Sequence, residues 1–253
     1  MTDLLIGITT DFAPAEPGRD ARFFLKTSYV TYLREGGARV VLLPFFPHFD
    51  PGDWAFLDGI VLSGSGPDIP PHFYGEPLKF LPGNWMHEDR VRFEFSLLEL
   101  GEARELPVLG ICGGFQTMNV YRGGSLIQDL PTQSDSLVRH QESEHEVEIQ
   151  GPWASGPATP SGESSPAAVR TLKVNSFHHQ GVERLGRGLE VVAVSPGDRL
   201  IEGFRDPDRL FFAGVQWHPE RMPSEDPLSR DLRTAFLDSC RKSRELRNPR
   251  SNR

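Results

Sequence analysis

An α/β fold is predicted for this chain, with a mostly parallel central sheet flanked by helices and a small antiparallel addition. Three observations predict it. Short apolar runs alternate with amphipathic helical stretches through the first half, the pattern of parallel strands joined by crossover helices. Right-handed crossovers place the C-terminal ends of such strands on one edge, and two glycine-rich turns fall there, at 64–66 and 113–114. In the second half the helical stretches give way to short strands separated by turns, which suits an antiparallel addition.

The elements follow in order. Residues 4–9 are an apolar strand, and 23–35 have helical spacing that stops at Gly36-Gly37. Strands at 39–43 and 59–62 come next, the second opening into a glycine-rich loop. Residues 88–104 read as a long helix with Val91, Phe95, Leu98 and Ala103 roughly on one side. The run 106–109 reads as a buried strand, and an amphipathic helix follows it through Tyr121. Segments 144–149, 169–174, 189–194 and 211–216 read as further strands, and 228–244 as a closing helix. One domain over 1–246 is expected, with an insertion at 151–168 rich in Gly, Pro, Ser and Ala and a polar tail at 247–253.

Cys112 stands where the strand at 106–109 turns into a helix, with Gly110 before it and Gly113-Gly114 after it. Glycines tolerate the tight turn such a junction needs. The helix N-terminal N–H groups beside the sulfur favour a thiolate and can bind an oxyanion. Near the other end, His218-Pro219-Glu220 ends an apolar strand. Residues two apart in extended chain leave on one face, so Glu220 can hold one ring nitrogen of His218 while the other faces the thiol. This makes Cys112 the candidate nucleophile, His218 the acid and base, and Glu220 its orienter. The Gly113 N–H is one expected oxyanion donor.

These segments resemble the class I glutamine amidotransferase superfamily, whose cysteine turn has the form Gly-Ile-Cys-x-Gly-x-Gln and whose triad closes with His-Pro-Glu. The stretch from Leu62 to Glu76 and Val174-Asn175-Ser176-Phe177-His178-His179-Gln180 are similar to its γ-glutamyl-γ-aminobutyrate hydrolase branch, of peptidase C26 type. The resemblance runs from Gly7 to about Phe236. One departure is Gly113, where the branch commonly has Arg; the backbone N–H survives that change. The resemblance implies a flavodoxin-like three-layer sandwich and hydrolysis of a γ-glutamyl amide through a cysteine thioester. It also implies a second oxyanion donor at Gly64–Ser65, and Gln116 turned toward the glutamyl group. An alternative is a glutaminase subunit feeding ammonia to a separate synthetase; a non-catalytic protein on the same scaffold is a third reading, opposed by the intact Cys112, His218 and Glu220.

His178 and His179 are taken to frame the glutamyl pocket. Adjacent strand residues point to opposite faces, so they do not chelate one ion together, and no metal or cofactor is expected. His72, His87, His140 and His145 are read as surface or loop residues. Gly64-Ser65-Gly66 lacks the Gly-Lys-Ser/Thr of a phosphate loop. A net charge of −8 argues against a nucleic-acid partner. Cys112 and Cys240 are expected as free thiols in a reducing compartment. With neither a leader-like start nor a membrane-length apolar run, the expected setting is cytoplasmic, the partner a small γ-glutamyl substrate, and a homodimer is the oligomer entertained.

Overall fold

The computed structural model describes residues 3–46, 50–153 and 169–248. The chain opens with β1 (Leu5–Thr9) and a two-stranded excursion, β2 (Asp11–Ala13) and β3 (Arg22–Phe24), before α1 (Thr27–Glu35) and β4 (Arg39–Leu43). Then come β5 (Gly59–Leu62), α2 (Glu88–Ala103), β6 (Val108–Ile111) and α3 (Gly113–Tyr121). The second half holds β7 (Ser125–Ile127), α4 (Leu130–Gln133), β8 (Ser143–Ile149), β9 (Arg170–Ser176) and β10 (Gly181–Arg184). β11 (Glu190–Val194), β12 (Ile201–Arg205), β13 (Phe212–Val215) and α5 (Pro227–Arg247) complete it.

The strand order β4-β1-β5-β6-β13 is parallel throughout, as in flavodoxin-like sheets. β5, β6 and β13 are buried at every position, which is why they read as unbroken apolar runs. Their side chains alternate between two cores. Ile60, Leu62 and Val108 pack with Leu97, Leu98, Phe115 and Met118 of α2 and α3. Val61, Leu109 and Ile111 face the other way, toward Leu33, Leu232 and Phe236 of α1 and α5. The antiparallel addition is continuous with this sheet: β12 pairs with β13 and leads on through β11, β8 and β9.

Three expectations shift. The helix predicted from residue 23 begins at Thr27, because 22–24 pair with β2 and Phe23 packs against Phe12 and Phe45. The closing helix runs on to Arg247, whose guanidinium reaches Asp58 at 3.7 Å, so that residue belongs to the fold and not to a tail. β7, β10 and β12 were not read from the sequence: each is short, and β12 carries a buried Glu202. Residues 154–168 and 249–253 of the expected insertion and tail lie outside the described residues. No helix among the described residues is long and apolar enough to cross a membrane.

Close packing of α3 on β5 is set by one glycine. A Cβ at Gly114 would sit 2.1 Å from the Leu62 carbonyl oxygen, a backbone atom that cannot swing away. Gly114→Ala is expected to cost about 3 kcal/mol, at the upper end of ordinary overpacking. Urea unfolding checks this; an unchanged midpoint would mean that helix and strand separate freely.

Candidate active site

The site grows from the C-terminal ends of β5, β6 and β13, the edge where open α/β sheets place their ligands. Cys112 lies between β6 and α3 with φ 52° and ψ −107°, a left-handed-side conformation that a non-glycine residue adopts only under strain. Two bonds hold it there: its N–H donates to the Val215 carbonyl at 2.8 Å, and its carbonyl accepts from Gln116 N–H at 3.1 Å. The Gly113 N–H opens α3 and so has no acceptor within the helix. The Ser65 N–H has no acceptor among the described residues. A Cβ on Gly113 would lie 2.8 Å from that Ser65 nitrogen, so the two free amides come from abutting segments.

His218 follows β13, and its Nδ1 lies 2.7 Å from Glu220 Oε1. A carboxylate only accepts, so Nδ1 carries the proton and Nε2 is left for the thiol. The Cys112 thiol lies close enough to the His218 ring for its charge to act on the imidazole. Burial works to lower the His218 pKa, but Cys112 and Glu220 together outweigh that and push it up to about 10. The arrangement therefore favours a protonated His218 ring beside the sulfur, fixed from behind by Glu220.

Five supporting residues escaped the sequence reading. Asn175 brackets the backbone of His218, accepting from its N–H at 2.8 Å and donating to its carbonyl at 2.9 Å. Gln216 donates to Cys112 Sγ at 3.6 Å. Arg90 of α2 is buried and donates to the Ser63 and Gly64 carbonyls, fastening the glycine-rich loop. Its charge is met by Asp11 at 2.9 Å and by Glu94, one helical turn on, at 3.0 Å. Asn175 lay inside the Val-Asn-Ser segment; the Arg90–Glu94 spacing ordinarily marks an exposed helix pair. Asn175→Ala is expected to lower turnover on the order of 100-fold by letting His218 drift, with the fold intact. Steady-state kinetics beside a thermal melt check it, and unaltered turnover would leave Asn175 without a positioning role.

Several predicted site residues turn out differently. The Gly64 N–H donates to the Tyr29 hydroxyl at 2.9 Å, so Ser65 and not Gly64 offers the free amide. Gly64 matters by its size instead: a Cβ there would sit 3.1 Å from His218 Cε1. Gln116 is buried and gives its amide to the Gln180 carbonyl and the Gln216 side chain, bracing Gln216 from behind. His178 and His179 do diverge, and neither is among the residues lining the cavity beside His218. His178 is buried against the Gln180 carbonyl. His179 bridges Asp68 at 2.8 Å and Asp129 at 3.1 Å, and its pKa is raised first by the hydrogen bond it donates to Asp68. His140, expected at the surface, is only 4% exposed, and the His145 side chain only 7%. His145 is carried by β8, and His140 lies three residues before that strand. The side chains of His72 and His87 are exposed, as expected.

A cavity of about 280 Å³ opens beside His218, bounded by Asp11, Tyr29, Ser65 and Phe177 among others. Lys26 and Arg221 also line it, and neither has a carboxylate partner among the described residues. Arg221 lies over the Phe177 ring at 3.5 Å.

This fold and this site define a class I glutamine amidotransferase-like protein. A model of the Peptidase C26 family matches residues 4–220, and the chain belongs to that family, a group of glutamine amidotransferase-like hydrolases. It is 35% identical to the γ-glutamyl-γ-aminobutyrate hydrolase PuuD of Escherichia coli, over 73% of this chain and 72% of PuuD. It is 34% identical to the provisionally named glutamine amidotransferase-like protein YvdE of Lactococcus lactis, over 78% of this chain and 80% of YvdE. A Thermoplasma acidophilum crystal structure, provisionally assigned to GMP synthase, superposes with a TM-score of 0.65. It covers 98% of this chain and 99% of its own at 19% identity, a likeness of fold.

Proposed function

We propose that the protein hydrolyses the γ-glutamyl amide bond of a γ-glutamylated amine, such as γ-glutamyl-γ-aminobutyrate. The observation that carries this reading is the strained Cys112 at the turn beside a His218 that Glu220 holds at 2.7 Å. The Cys112 thiolate attacks the γ-carbonyl, and the oxyanion is received by the Gly113 and Ser65 amides. His218 gives its proton to the leaving amine, the thioester forms, and His218 then takes a proton from the attacking water. Glutamate leaves and the thiolate–imidazolium pair returns. Substrates of this class carry a carboxylate on the glutamyl group and, with γ-aminobutyrate, another on the amine. The unpaired Lys26 and Arg221 in the cavity suit such anions.

The test is glutamate release by the purified protein alone, offered γ-glutamyl-γ-aminobutyrate and glutamine separately. Turnover of the first, well above that of glutamine, is the expected result. Turnover of glutamine only, appearing when a larger synthetase chain is added, would overturn it in favour of a glutaminase role.

The pH profile follows from His218. Its folded pKa, about 10, lies above the ordinary value of 6.5, so the proton needed by the leaving amine is held through neutral pH. The rate of thioester formation is expected to fall as pH rises through about 10. Stability from that proton has the same sign: fully present below about 6.5 and lost as pH climbs through about 10. Single-turnover rates against pH check it; an alkaline limb near neutrality would contradict the ion pair.

A further inference from the structure

We propose that His140, His145, His178 and Glu202 form a closed, four-ligand site for a divalent first-row metal ion, Zn²⁺ foremost, behind the catalytic edge. One potential ligand atom from each residue lies within 4.8 Å of all the others. Glu202 Oε1 is the hub, with His140 Nδ1 at 3.6 Å, His145 Nε2 at 3.6 Å and His178 Nε2 at 3.7 Å. These separations are too long for hydrogen bonds. They are close to the distance of about 3.3 Å that separates neighbouring ligands placed tetrahedrally about 2.0–2.1 Å from an ion.

The protons decide the case. His178 Nδ1 meets the Gln180 carbonyl at 2.9 Å, and His145 Nδ1 meets the Glu146 carbonyl at 2.9 Å. A carbonyl only accepts, so both Nδ1 atoms carry the hydrogen and both Nε2 atoms present a lone pair. His140 Nε2 meets the Asp198 carboxylate at 2.8 Å, so in the neutral ring its Nδ1 presents a lone pair. Ser176 Oγ, 3.5 Å from that Nδ1, is committed to the His140 carbonyl at 2.9 Å. Three lone pairs therefore converge on a carboxylate that is 0% exposed, and neither of its oxygens has a hydrogen-bond partner. The facing Nε2 atoms of His145 and His178 are also buried without one. A cation at their centre satisfies all four groups at once, and polypeptide atoms nearby do not.

The surroundings are those of a metal site. Each imidazole is aimed by a carbonyl or carboxylate at its far nitrogen, the arrangement that orients histidine ligands and fixes their tautomer. Three neutral imidazoles, one carboxylate and the second carboxylate of Asp198 balance a doubly charged ion. A donor set of imidazoles and one carboxylate suits Zn²⁺. With four protein ligands and no open position, the ion's role is structural. It would tie β8, β12 and the segment after β9, which carries Asn175 three residues before His178, into one unit. The two histidines adjacent in sequence still do not share an ion: His178 finds its co-ligands elsewhere in the chain, which revises the expectation of a metal-free protein.

The test uses Cys112→Ala protein, so that the Cys112 thiol cannot bind metal. It is stripped with a chelator and titrated with Zn²⁺ and with Co²⁺. One equivalent per chain is expected, a raised melting temperature, and the visible bands of four-coordinate Co²⁺ without thiolate charge transfer. The same protein with His145→Ala or Glu202→Gln, shown folded by circular dichroism, is expected to lose the bands. Folded, stripped protein that takes up no Zn²⁺ or Co²⁺ would overturn the proposal, whatever the variants do. So would unchanged uptake after His145→Ala.

Discussion

Cys112→Ala protein is expected to fold like the parent and to release glutamate from γ-glutamyl substrates roughly 10⁶-fold more slowly, the scale of losing a nucleophile from an acting triad. Alanine keeps the Cβ, so the backbone at φ 52° is no more strained than before. The bonds to Val215 and Gln116 use only main-chain atoms and persist. What disappears is the attacking sulfur and, with it, the charge that helps to raise the His218 pKa. Without them only Glu220 opposes burial, and His218 becomes harder to protonate. Glutamate release and a thermal melt check the pair of expectations. Residual activity within about tenfold of the parent would remove Cys112 from the mechanism, since one missing triad member costs far more.

Arg90→Met is the second large effect, this time on stability. Arg90 and Glu94 are both essentially unexposed, and Glu94 also accepts from the hydroxyls of Thr9 and Thr117. Methionine fills similar space but leaves a buried carboxylate without its cation, which costs about 3–5 kcal/mol. The Ser63 and Gly64 carbonyls lose their donor as well, so the loop bearing the Ser65 amide loosens and turnover falls. Adding Glu94→Gln should recover part of the stability, because the orphaned charge goes with it. Urea unfolding of the single and double variants measures this. A single-variant loss under about 1 kcal/mol would mean that the pair behaves like an exposed one.

The parallel half of the fold was legible because burial on both faces leaves β5, β6 and β13 no room for polar residues. Cys112, His218 and Glu220 were legible because each sits within a few residues of the turn that aims it. What stayed hidden depends on contacts between distant segments. Arg90 and Glu94 look like a solvent-facing helical pair until β1 and the glycine-rich loop close over them. His140 and Glu202 stand far apart in the chain, and only the antiparallel pairing of β8, β11 and β12 brings them together. Spacing rules cannot see an encounter made across an intervening strand. Which amide of the Gly64–Ser65 stretch is free was hidden for a similar reason: the hydroxyl that accepts from Gly64 arrives from α1.

The placement of the second thiol bears on how the protein would meet oxidants. Cys240 is wholly buried in α5, its thiol pKa raised chiefly by that burial, and it packs where β5 begins. Cys112 sits where β6 ends, so the length of the parallel sheet separates the two sulfurs. A sulfenic acid formed on Cys112 by peroxide would find no resolving cysteine in the same chain with which to condense. Recovery would then rest on thiols supplied from outside, and prolonged exposure would carry the sulfur on to irreversible acids.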